Sequence, residues 1–118
     1  GNLMFYFYAF REIGMFDFFS PKNKGEKRIT LTITNPLGFH ARPAAKFVDI
    51  AKRYEKCEVV VEKNGQRVNG KSIMGLMLFA AEQGSELDVI ALGDGAEQCL
   101  LELKELFRNN FGEWPPAK

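Results

Sequence analysis

Between Arg28 and Phe111 the apolar residues switch repeatedly between a spacing of two and one of about 3.6, and turn residues mark the switches. Ile29, Leu31 and Ile33 alternate with Thr30, Thr32 and Thr34, the pattern of a strand with one wet face. Asn35-Pro36-Leu37-Gly38 reads as a turn. Ala44, Phe47, Val48 and Ala51 then recur on one side, with Lys46, Asp49, Lys52 and Arg53 opposite, so a helix is expected to about Tyr54. Pro43 suits its first turn, where no intrahelical N–H is lost. Glu58 to Lys63 and Gln66 to Asn69 are two strands joined by the hairpin signal Asn64-Gly65.

Ser72 is a candidate N-cap for a second helix, expected to end at Gly84. Leu87, Val89 and Ala91 mark a fourth strand, and Asp94-Gly95 turns the chain again. Ala96, Cys99, Leu100, Leu103, Leu106 and Phe107 predict a third helix to about Phe111, and Trp114-Pro115-Pro116 cannot continue it. The order β-α-β-β-α-β-α specifies an α+β open-faced sandwich, a four-stranded antiparallel sheet covered on one face by three helices.

Composition narrows the function. A net charge of +1 offers no field for nucleic acid or an anionic membrane, and the inferred strands carry no aromatic side chain for stacking bases. The longest apolar run, Ile73 to Ala81, is well short of the ~20 residues of a bilayer span. The apolar start lacks a basic region and a small-residue cleavage site, so a cytoplasmic setting is expected. Cys57 and Cys99 have no metal-ligand spacing and read as buried free thiols; with a single histidine, neither a metal nor a cofactor is expected.

Three parts are expected: an aromatic-rich extension and linker over 1–26, a domain over 27–112 and a tail over 113–118. Aromatic residues crowd between Phe5 and Phe19, ahead of the polar stretch Ser20 to Lys27. Packing over the open sheet face, or into a second protomer as a homodimer, are the two folded roles such a segment could take.

His40, the only histidine, sits at the start of the first expected helix. To attack phosphorus an imidazole must be uncharged, and the positive end of a helix disfavours a cation. The amides of that first turn and the Arg42 guanidinium could then pair with phosphoryl oxygens. Arg42 precedes a proline and is expected to lean away from helical backbone angles, free to turn toward the anion. Taken alone, His-x-Arg is as readily a solvated capping histidine. The second expected helix adds an uncharged stretch, Ile73 to Ala81, that so small a domain cannot bury on every side. Met74 and Met77 suit a docking surface, while for Met77 and Leu78 a place in the core is an equally open reading.

Gly38-Phe39-His40-Ala41-Arg42-Pro43-Ala44-Ala45 and Lys71-Ser72-Ile73-Met74-Gly75-Leu76-Met77 together resemble the two signatures of HPr. HPr is the histidine-containing phosphocarrier family of the bacterial phosphoenolpyruvate-dependent phosphotransferase system. The resemblance covers roughly 27 to 112, and the family's element order is the one read above. It implies a non-enzymatic relay in which His40 takes phosphate on Nδ1 from phospho-enzyme I. His40 would pass it to an enzyme II A-domain or a regulatory acceptor.

Ala41 and Arg42 would stabilise the phosphate, and Ser72 would be the regulatory serine of an HPr kinase/phosphorylase. Phe39, Ala45, Ile73, Met74 and Met77 would form the docking surface. The alternative reading is an HPr-like regulatory module, acting on a transcriptional regulator through Ser72 phosphorylation, or a nitrogen-related phosphotransfer branch. The aromatic extension, the residues past the last helix, Gly70 and Leu78-Phe79 depart from the commoner family pattern.

Overall fold

The computed structural model describes residues 26–79 and 82–113. The aromatic extension, Ala80, Ala81 and the tail from Trp114 lie outside the described residues, and so do the expectations that fall on them. Four strands, β1 (Lys27–Thr32), β2 (Cys57–Lys63), β3 (Gln66–Asn69) and β4 (Glu86–Gly93), form one antiparallel sheet in the order β1-β4-β2-β3. Three helices accompany them: α1 (Ala41–Arg53), α2 (Ile73–Leu78) and α3 (Ala96–Arg108). The alternating architecture read from the sequence is the architecture found.

Register explains how the sheet separates its two faces. Ile29 opposes Val89 and Leu31 opposes Leu87 between β1 and β4, while Val59 opposes Ala91 and Val61 opposes Val89 between β2 and β4. Successive side chains alternate faces, so these residues share the side that the helices cover. They meet Phe47, Val48, Leu76, Leu100, Leu103 and Phe107, all buried. Each such large side chain contributes about 1.5–3 kcal/mol on leaving water.

The other face carries a charged row across three strands. Arg28 Nη1 on β1 lies 2.7 Å from Asp88 Oδ2 on β4 and 3.0 Å from Glu62 Oε1 on β2, and Thr30 Oγ1 donates to Asp88 Oδ1 at 2.8 Å. Polar threonines were the legible part of this face; the cross-strand ion pairs depend on register.

Two helix ends differ from the sequence reading. α2 stops at Leu78 instead of running to Gly84. Gly84 has φ +91° and donates its N–H to the Ile33 carbonyl at 2.7 Å, so it serves the turn into β4. α3 stops at Arg108, short of Phe111, and a 3-10 turn follows over Asn110–Gly112. Burial of Phe111 draws the chain back toward α1 at that point, with its ring 4.7 Å from Phe107 and 5.9 Å from Phe39. Gly70 also has a reason in the packing: a Cβ there would meet Val59 Cγ1 at 2.6 Å.

Candidate functional site

The turn before α1 is closed by its own groups. Gly38 donates its N–H to the Asn35 carbonyl at 3.1 Å, and Asn35 Nδ2 donates to the Gly38 carbonyl at 2.6 Å. Gly38 has φ +73°, a left-handed conformation that a side chain would disfavour. The chain then enters α1 with His40 as N-cap, in extended conformation, its carbonyl accepting from Ala44 N at 3.0 Å. Only the first-turn amides of Ala41 and Arg42 precede the helical ladder, because Pro43 has none. The imidazole therefore stands at the positive end of a thirteen-residue helix.

Arg42 lies within α1 and is exposed, so its backbone is helical, against the expectation drawn from Pro43. The restriction before proline is a bias, and in a first turn the buried Pro43 ring and the continuing helix outweigh it. The guanidinium stays on the solvent side of the helix start.

Glu113 joins this site, and the sequence reading assigned it no role. Its Oε2 lies 2.9 Å from His40 Nε2, and its Oε1 accepts from Asn35 Nδ2 at 3.3 Å. The Nε2 contact is short but not aligned as a hydrogen bond, and Nε2 is buried with no aligned partner, whereas a third of the histidine side chain remains exposed. Asn35 is fully buried, and both partners of its amide nitrogen are oxygens, which fixes the orientation of the amide.

Three consecutive left-handed residues deliver this carboxylate: Asn110 (φ 54°), Phe111 (φ 58°) and Gly112 (φ 70°). For the two residues with a Cβ this costs roughly 1–2 kcal/mol each. The packing of Phe111 against Phe39 and Phe107 offsets it, as does a bond from Lys46 Nζ to the Phe111 carbonyl at 2.6 Å.

The second expected stretch forms an exposed apolar ledge. Ser72 is the N-cap of α2, its Oγ accepting from Gly75 N at 3.0 Å, and it is half-buried. Ile73, Met74, Met77 and Leu78 are exposed, Met74 to 72% and Leu78 to 78%, whereas Leu76 alone on α2 is buried. The open alternative for Met77 and Leu78, core or surface, resolves to surface. Leu37, 78% exposed in the turn before His40, is a further apolar surface residue that the sequence reading did not name. Ala45 is half-buried on α1.

Phe39 corrects the docking set. It is 3% exposed, with its ring 5.7 Å from Phe47 and 6.2 Å from Phe107, so it belongs to the core and gives no surface to a partner. Alternation explains this: with His40 turned outward, its neighbour turns inward. Cys57 and Cys99 are buried free thiols, as expected. Burial pushes both thiols up, Cys99 to about 12 with a further contribution from the adjacent Cys57. No helix among the described residues is long and apolar enough to cross a membrane.

Fold and site together define a small open-faced α+β sandwich that offers one histidine at a helix start. The family model described as "PTS HPr component phosphorylation site" matches residues 27–109. The phosphocarrier protein HPr of Pseudomonas aeruginosa is 45% identical over 86 residues, covering 72% of this chain and 94% of that protein. The HPr-like protein Crh of Bacillus subtilis is 47% identical over 66 residues, 56% of this chain and 76% of Crh. Among solved structures, HPr-C-His from Thermoanaerobacter tengcongensis superposes with a TM-score of 0.70 at 41% identity, covering 74% of this chain and 97% of that one. The chain belongs to the HPr family of phosphocarrier proteins.

Proposed function

We propose that this chain relays a phosphoryl group on His40, accepting it from phospho-enzyme I and passing it to an enzyme II A-domain or a regulatory acceptor. One observation carries the reading: a partly exposed imidazole stands at the start of α1 with Nε2 covered by Glu113, which leaves Nδ1 as the nitrogen for a donor. The Nδ1 lone pair forms the new bond to phosphorus while the donor's bond to phosphorus breaks, and its electron pair departs with the donor. The Ala41 and Arg42 amides and the Arg42 guanidinium pair with the phosphoryl oxygens. The partners supply the rest of the positioning, so the chain is a carrier and does not turn over by itself.

The domain over 27–112, with Glu113 just beyond it, holds this machinery, and the exposed Ile73, Met74 and Met77, with Ala45 beside α1's start, form the surface on which partners dock. A cytoplasmic setting follows from the same chemistry, because phosphoenolpyruvate-driven relays work inside the cell. Incubation with phosphoenolpyruvate and enzyme I should add one acid-labile phosphoryl group, absent in His40→Ala. Labelling that persists in the variant rejects the assignment.

A second reading draws on the similarity to the HPr-like protein Crh. Here Ser72, modified by an HPr kinase/phosphorylase, creates a docking state for a transcriptional regulator. The reading accords with a half-buried hydroxyl beside exposed Ile73 and Met74. Acid-stable label from ATP and such a kinase, lost in Ser72→Ala, supports it; no label from that kinase rejects it.

A further inference from the structure

We propose that a groove at the edge of the open sheet face is the docking site for the aromatic segment Phe5 to Phe19 of this same chain, which seats Phe16, Phe18 and Phe19 there. The groove has a structural origin. β3 ends at Asn69, opposite Val60, whereas β2 begins three residues earlier, at Cys57. The start of β2 therefore has β4 on one side and a gap of about 630 Å³ on the other, floored by Val59, Val60, Val68 and Leu92. Both carbonyls that point into this gap are already taken. Gly70 donates its N–H to the Val59 carbonyl at 2.7 Å, and Lys71 Nζ donates to the Cys57 carbonyl at 2.6 Å. An added strand finds no acceptors there, so side chains are what the groove can receive.

The surrounding surface is apolar where the rest of that face is charged. Val60, Ile90 and Leu92 alternate away from the helices. Ile90 is 3% exposed and yet stands apart from the core cluster beneath the helices, and Val60 and Leu92 are half-buried. The carboxylates of Asp88 and Glu62 stand one row further along. An apolar strip on an otherwise wet sheet face is a place for a cover.

The point where the extension joins the sheet selects the occupant. Lys27 pairs with Ala91 and Glu58 with Leu92, so Glu26, the residue before β1, falls in the row of Leu92 and Glu58. From there to the groove is two strand spacings, about 10 Å. The seven residues 20–26 can span up to about 23 Å, which brings Phe19, Phe18 and Phe16 within reach of Val60 and Leu92. A cavity of about 150 Å³ accepts one benzene ring, so this one has room for at most about four. A tether this short holds the rings at roughly millimolar effective concentration, which favours the chain's own segment over that of a second copy. Glu55, just past the end of α1, also lines the groove, and thirteen helical residues place it about 20 Å from His40. Docking there leaves the histidine untouched.

Methyl-labelled full-length chain tests this through nuclear Overhauser contacts and through chymotryptic cleavage after the rings of the extension. The wild type should be a monomer in which the Val60 and Leu92 methyls contact ring protons of Phe16, Phe18 or Phe19 of the same chain, as distinguished in a mixture of labelled and unlabelled chains. Replacing those three phenylalanines with serine should remove the contacts while leaving the groove itself unaltered. Leu92→Asp should speed cleavage between Phe16 and Phe19 about tenfold. No contact from these rings to either methyl in the wild type overturns the proposal, whether or not Leu92→Asp folds. Contacts found only between chains, in a particle of twice the monomer mass, overturn it in favour of a second copy. Equal cleavage rates in the wild type and a folded Leu92→Asp overturn it as well.

Discussion

Lys46 and Phe111 are joined by one short charge-assisted bond, from the ammonium on α1 to a carbonyl in the middle of the left-handed run. A Cβ on the next residue, Gly112, would come within 3.1 Å of the same ammonium, so the lysine fills the space under this turn. The bond ties the last described turn of the chain to the helix that begins at His40.

Lys46→Met keeps most of the aliphatic stem and removes the donor. It should destabilise the fold by about 1.5 kcal/mol, the lower end for a hydrogen bond to a charged group, since Lys46 is only half-buried. The check is the urea midpoint, with an unchanged slope showing that the same surface unfolds. A midpoint equal to that of the wild type would mean that the turn holds without its tether.

Ser72→Ala should cost about 1 kcal/mol locally, because α2 is only six residues long and its one side-chain cap is the bond from Gly75 N to Ser72 Oγ. Amide exchange at Gly75 reads this directly and should accelerate roughly fivefold. Unaltered exchange at that amide would show that the cap contributes nothing measurable.

High pH should weaken the fold through its buried thiols. The Cys99 thiol is raised from 9.0 to about 12 in the folded chain, so the native state holds a proton that the unfolded chain gives up. The stabilisation is complete below 9.0 and is lost progressively as pH rises toward about 12. Tyr54, raised to about 12 by burial and by its bond to Glu102, acts in the same direction. Cys99→Ala, with nothing to ionise there, should lose stability less steeply over that range in urea titrations at stepped pH. Parallel slopes would show that the thiol is not what the unfolded state ionises.

Local chemistry carried most of this fold into the sequence. The alternation around Leu31 and Val89, the Asn64-Gly65 turn with φ of 52° and 80°, and the amphipathic stripe of α1 each depend on neighbours close in the chain. The end of α2 was not legible, because Gly84 is as good a helix terminator as it is a turn residue, and only the Ile33 carbonyl decides between them. Phe39 beside the histidine reads as surface until the ring finds Phe47, Phe107 and Phe111. Glu113 and Asn35 were invisible as site residues for the same reason. Their meeting depends on three left-handed residues after α3, and no periodicity announces a contact between distant loops.

The phenylalanine cluster also decides how the histidine can move. Phe39 is the residue immediately before His40, and its ring is locked among three others in the interior. Any swing of the imidazole backbone would have to lift that ring from its socket, at about the 3–5 kcal/mol typical of emptying such a site. Reactivity at this position is therefore stationary: whichever protein exchanges a group with it must bring its own reacting atom the whole distance, and adjust its own shape on arrival.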